Sequence, residues 1–167
     1  TMGLWGGSFL FKVKSLDAVE AARWVSVFYT TITLGRFFTG FSTFHMSNRT
    51  LIRLGSLTVL AGVTLMLAPL SLPLSLTGFT LIGIGCAPIF PCMLHETPVR
   101  FGARNTEAIM GFQMAIAYLG STFLPPLFGF LAAYTSLALL PAVLLSYTGI
   151  LLIGSERIRC LCADEYA

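Results

Sequence analysis

Apolar positions fall in long runs separated by short polar links. Five runs approach the ~20 residues that a helix needs to cross a hydrocarbon core. They are about Val19 to Thr43, Leu51 to Leu70, Leu72 to Leu94, Glu107 to Tyr134 and Leu137 to Ile153. A sixth, Thr1 to Phe11, is shorter and reads as the end of a truncated helix. It lies in apolar sequence without the charged segment and cleavage site of a signal peptide. The links are Lys12 to Asp17, Phe44 to Asn48, a turn bracketed by Pro69 and Pro73, Thr97 to Asn105 with Pro98 and Gly102, and Thr135-Ser136. Each is short, so neighbouring helices run antiparallel. The runs lack the period-2 alternation of membrane barrel strands, and an open sheet edge cannot face lipid. The expected fold is all-α: a single polytopic transmembrane helix bundle spanning 1–167, its first helix cut short.

Composition agrees with this pattern. Hydrophobic residues make up 56% of the chain and charged ones 10%, against about 25% charged in a soluble domain. Lipid has to replace water over much of the surface. The net charge of +3 is scattered between apolar runs and forms no basic patch with interleaved aromatics, which excludes a nucleic-acid partner. Arg49, Arg53, Arg100, Arg104, Arg157 and Arg159 fall at one end of the expected bundle, with Arg36 near its boundary. Lys12, Lys14 and Arg23 fall at the other. The positive-inside rule puts the first set, and the C-terminus, in the cytoplasm of a plasma or inner membrane. Cys86 and Cys92 lie in apolar sequence and read as buried thiols. Cys160 and Cys162 lie in the tail, and no CxxC pair points to zinc or a redox dithiol.

Polar side chains inside apolar runs are the informative ones, because each is costly without a partner. No Asp, Glu, Lys or Arg falls at mid-depth. Arg36 is about 10 Å from its helix end, within snorkelling reach. Glu96 and Glu107 fall at helix ends, where water is expected. Gln113 is the deepest strongly polar side chain, and its amide both donates and accepts. It shares a helix face with Ala117, Gly120 and Ser121, small enough to line a cavity or admit a close helix. Tyr118 follows on the same helix, which Pro125 and Pro126 then disrupt. Phe28 and Tyr29 lie near mid-depth, where aromatics stack on a ring or sugar. Trp5 is placed to cap a cavity or to anchor its helix. The candidate solute-binding set is therefore Gln113, Tyr118, Phe28, Tyr29 and Trp5. The alternative for each is ordinary helix packing. His95-Glu96 lacks the second histidine of a zinc protease helix, since position 99 is Val99. No Ser-His-Asp set can be named, and no metal or cofactor is implied.

Three stretches carry a family resemblance. Gly35-Arg36 followed by Gly40, a short loop and Arg49 resembles the end of helix eight in the major facilitator superfamily. Gly83 to Gly102 (GIGCAPIFPCMLHETPVRFG) resembles helix ten and its loop, and Gly111 to Ala132 (GFQMAIAYLGSTFLPPLFGFLA) resembles helix eleven. The chain as a whole is similar to the end of helix seven through helix twelve, in the fucose-permease-like branch of sugar permeases. The loop pattern G-x-x-x-D-R-x-G-R-R is incomplete: Phe44 and His45 stand at the acidic and basic positions. The resemblance implies a gating role for Arg36, Gly40 and Arg49. It also implies nested inverted repeats, echoed in FFTGF at 37–41 and PLFGF at 126–130, and a substrate site between two six-helix halves.

The expected function is membrane transport of a small polar solute, a sugar among the candidates, by alternating access. This chain would be the C-terminal half, its partners the bilayer, the solute and the missing N-terminal six helices. Any proton-carrying carboxylate would lie in that other half. The rival is a non-transporting membrane scaffold or receptor-like module, whose small-residue faces serve partner helices. An intramembrane enzyme lacks a catalytic set.

Overall fold

The structure, a computed structural model, describes residues 1–67, 71–101 and 106–164, the side chains of 100, 101 and 158–164 excepted. Its elements are α1 (Met2–Lys12), α2 (Ala18–Ser42), α3 (Asn48–Leu67), α4 (Leu72–Phe101), α5 (Thr106–Tyr134), a 3-10 turn (Leu137–Leu139) and α6 (Leu140–Asp164). No strand occurs among the described residues. Local chemistry sets the helix starts. The Asp17 carboxylate accepts from Val19 N–H at 3.1 Å and caps α2, as an N-cap acid does. Ser47 Oγ accepts from Thr50 N–H at 3.3 Å at the head of α3. Ser136 Oγ accepts from Ala138 N–H at 3.1 Å and opens the 3-10 turn. Pro73 stands in the first turn of α4, where a missing N–H costs nothing. Pro69 lies outside the described residues.

Four stretches are long and apolar enough to cross a membrane: Asn48–Leu67, Leu72–Val99, Thr106–Tyr134 and Leu137–Arg157. The chain is a multi-pass membrane protein. α2 corrects the expectation of five such runs. It has 25 residues, but Glu20, Arg23, Arg36 and its hydroxyl residues leave it more polar than the other four. Those hydroxyls are internally satisfied. Ser26, Thr30, Thr31, Thr33, Thr39 and Ser42 each donate to a carbonyl of α2 itself. Such back-bonding lets a polar sequence sit beside apolar neighbours.

Two boundaries also differ. α4 runs on through His95, Glu96 and Pro98 to Phe101, where the sequence reads a polar link from Thr97. Pro98 removes one ladder donor and leaves the rest of the turn in place. The remainder of that link, 102–105, is outside the described residues. α6 continues past Ile153 to Asp164, so the expected tail starts as helix.

The tightest interface is α3 against α4, and glycine makes it. A Cβ on Gly55 would stand 2.6 Å from the Gly85 carbonyl oxygen, and one on Gly85 would stand 2.6 Å from that of Gly55. One turn-pair along, Gly62 and Gly78 face each other in the same way, at 2.7 and 2.5 Å. Seven residues separate the glycines on each helix, so both pairs fall on one antiparallel seam, and the backbones touch at both. Without a hydrophobic drive between helices in lipid, this close contact is what holds them. α2 lies against the other side of α4, with Gly35 beneath Ala87. α1 lies against α2, and α6 against α3 and α1. The core between them is Phe9, Leu10, Phe28, Val63, Met66, Phe79 and Leu140. Phe28 and Phe79 meet edge to face at 5.5 Å.

α5 is the exception. It touches the bundle sparsely and turns Phe112, Ile116, Leu119, Phe123, Leu127, Phe130 and Tyr134 outward. These recur every three or four residues and form one apolar stripe along the helix.

Candidate functional site

Antiparallel connection brings the start of α3, the C-terminal part of α4, the start of α5 and the C-terminal part of α6 to one end of the bundle. A set of polar contacts ties them there. Arg49 Nε on α3 donates to Glu96 Oε1 on α4 at 2.5 Å. Glu96 is only 6% exposed, so the carboxylate expected in water is buried. Arg53 Nε reaches Glu156 Oε1 on α6 at 3.1 Å. Thr97, next to Glu96 and itself buried, lies 2.9 Å from Gln113 Oε1 on α5 and 3.1 Å from the Met93 carbonyl. One hydroxyl proton serves one of these acceptors at a time. The other end carries Lys12, Lys14 and Arg23, the last paired with Glu20 at 2.7 Å.

Between the two ends lies a cavity of about 500 Å³, and every helix contributes to its wall. Thr1 and, from α1, Met2 and Gly3 line it, and α2 supplies Phe28. Val59 and Val63 come from α3, and Ile82, Cys86 and Ile89 from α4. α5 supplies Ala117, Gly120, Ser121 and Leu124, and α6 supplies Leu144, Tyr147, Thr148 and Leu151. The volume lies in the ~300–1,000 Å³ range of small-molecule sites. No charged side chain lines it. Two of its hydroxyls are already used: Ser121 Oγ donates to the Tyr118 carbonyl at 3.0 Å, and Thr148 Oγ1 to that of Leu144 at 2.8 Å.

α5 forms one wall of this cavity and is fastened mainly near its two ends. Near one end is the Thr97–Gln113 contact. Near the other, Trp5 Nε1 donates to the Pro125 carbonyl at 2.9 Å. The Trp5 ring also lies over Gly129 and meets Phe128 edge to face at 5.9 Å. A carbonyl has two lone pairs, so Pro125 can accept the indole as well as a ladder bond.

The candidate residues read from the sequence are therefore dispersed. Phe28 lines the cavity and is buried. Its neighbour Tyr29 meets it edge to face at 5.5 Å and lays its hydroxyl over Gly3 of α1. Trp5 packs on α5. Gln113 sits at the polar end, against Thr97. Tyr118 is 70% exposed on this chain and does not line the cavity. Of the residues implied for gating, Arg49 holds Glu96, Arg36 is exposed, and Gly40 is exposed with open space where a side chain would start. The small face beside Gln113 does line the cavity, through Ala117, Gly120 and Ser121.

Three features escaped the sequence reading. The glycine seam has a signal, two glycines seven apart on consecutive apolar runs. Tyr147 and Cys86 as cavity residues have none, because they look like any other apolar-run position. Cys86 and Cys92 are free thiols, Cys92 fully buried and Cys86 partly so. The side chains of Cys160 and Cys162 are outside the described residues. No group of three or more His, Cys, Asp and Glu comes together among the described residues.

A second cavity, of about 390 Å³, lies between α2, α3 and Ile84, Gly85 and Pro88 of α4. Its hydroxyls, including Thr39, Ser42 and Thr58, are turned back onto their own helices. Comparison with family models, with curated proteins and with solved structures returns no match.

Proposed function

We propose that this chain is a six-helix half of a membrane transporter and that its central cavity receives a small solute. The observation that carries the reading is the cavity itself, ringed by all six helices, with one wall, α5, fastened mainly near its ends. A wall of this kind moves without unpacking the α3–α4 seam. The apolar stripe on α5 offers a second half a face to lie against. The resemblance to helices seven through twelve of the major facilitator superfamily supports the same assignment. In this reading the polar end with Arg49 and Glu96 faces the cytoplasm, by its excess of arginine.

Gly120 supplies the test. Its missing Cβ has nothing closer than a Leu124 methyl at 3.8 Å, so the Cβ of Gly120→Trp meets no backbone, and its indole is expected to occupy the cavity that Gly120 lines. Uptake of a panel of neutral solutes is compared between cells expressing the protein, cells expressing Gly120→Trp and cells with neither. The proposal expects at least one solute whose uptake the protein raises and the tryptophan abolishes. Identical profiles in all three, together with a stable crosslink from the α5 stripe to an unrelated membrane protein, favour the scaffold reading.

A further inference from the structure

The lining of the cavity sorts solutes by chemistry. A sugar presents several hydroxyls, and each one taken out of water without a partner is costly. The wall has little to offer them. Ser121 and Thr148 spend their protons on their own helices, and Phe28, Val63, Ile82 and Leu124 offer only hydrocarbon. Tyr147 and Thr1 are different. Both line the cavity, and no hydrogen bond of either side chain occurs among the described residues. The Tyr147 hydroxyl both donates and accepts, and the rest of the wall is largely apolar. Cavities built this way hold mostly apolar molecules and orient them by a few polar groups.

We infer that the cavity binds a compact, neutral, largely hydrocarbon or aromatic molecule carrying one hydrogen-bonding group, with Tyr147 as the residue that reads that group. This rests on the cavity being the solute site. It replaces the polar solute expected from the sequence with an amphipathic one. Tyr147 is a specificity residue, and the apolar wall supplies most of the affinity.

Cys86 is the reporter, because it lines the same cavity. The protein is prepared in nanodiscs with Cys92→Ala, Cys160→Ser and Cys162→Ser, and the rate of Cys86 labelling by N-ethylmaleimide is measured. The probes are 4-tert-butylphenol, tert-butylbenzene and glucose. The phenol is expected to protect Cys86 at lower membrane concentration than the hydrocarbon, and glucose not to protect at all. Tyr147→Phe is expected to weaken the phenol by about five-fold, the worth of one net hydrogen bond, and to leave tert-butylbenzene unchanged. Gly120→Trp is expected to abolish labelling and serves as the occupied control. Protection by glucose overturns the inference and leaves the transporter reading standing. An unreactive Cys86, or equal protection by phenol in the presence and absence of the Tyr147 hydroxyl, overturns it as well. Phenol protection with no solute uptake by the same protein overturns transport and leaves the binding site.

Discussion

Arg49 and Glu96 stand 47 positions apart in sequence and meet at 2.5 Å, the guanidinium half exposed and the carboxylate buried. Removing the arginine leaves the buried carboxylate with less support than it needs. A fully buried pair broken on one side loses about 3–5 kcal/mol. Arg49 is 53% exposed, so solvent screening brings the expectation down to roughly 1–2 kcal/mol. Thermal unfolding in detergent should show Arg49→Ala less stable than the double variant Arg49→Ala/Glu96→Gln. Equal midpoints for single and double variants would show that the two residues are not coupled.

The glycine seam makes a sharper prediction. Gly55→Leu or Gly62→Leu drives a side chain into backbone on α4, and overpacking of this kind costs about 1–3 kcal/mol. Gly40→Leu and Gly111→Leu enter open space and should change the unfolding midpoint little. A double variant on the seam, Gly55→Cys/Gly85→Cys, should be too close to fold normally. Ready folding of that pair would contradict the register.

The helical, multi-pass membrane class was legible because apolar run length is a one-dimensional property, whereas the ends of α4 and α6 were not, since both helices run on into polar sequence. The burial of Glu96 was not. It depends on α4 continuing through Pro98 and bringing the carboxylate under Arg49, and a proline next to polar residues reads as a loop. The small face beside Gln113, expected either to line a cavity or to admit a close helix, lines the cavity through Ala117, Gly120 and Ser121, whose common face follows from helical spacing. The partner of Gln113 did not, because contact between α4 and α5 at Thr97 is a tertiary fact. The excess polarity of α2 was visible in its threonines but was outweighed by length. Its exclusion from the apolar helices follows from Glu20, Arg23 and Arg36 together with those hydroxyls.

Trp5 is the strap that holds α5 near Pro125. Trp5→Phe keeps an aromatic ring over Gly129 and deletes the indole N–H, for a loss of about 1 kcal/mol. Trp5→Ala removes the ring as well and should lower the unfolding midpoint further. With Trp24→Phe in the background, Trp5 is the only tryptophan, and its emission should shift to the red when Gly129→Leu pushes the ring off α5. Unchanged emission would place Trp5 elsewhere.

Gln113 and Thr97 fasten the opposite end more weakly. A hydrogen bond between membrane helices contributes about 0.6 kcal/mol on average. Thr97→Val and Gln113→Ala should each lower the unfolding midpoint slightly, and the double variant should lose no more than either. If Gln113 instead touches solute, Gln113→Ala changes apparent uptake affinity and Thr97→Val does not. Concentration series for both variants separate the two roles.

Under the proposed function, one cavity serves both sides of a membrane. Cys86 tests it without knowledge of the solute. With the other cysteines replaced, the protein is sealed into proteoliposomes of known orientation, and a membrane-impermeant maleimide is added first outside and then, in a separate preparation, inside. Alternating access predicts that Cys86 is labelled from both sides, and that Gly120→Trp suppresses both. Labelling from one side only, or from neither, contradicts it.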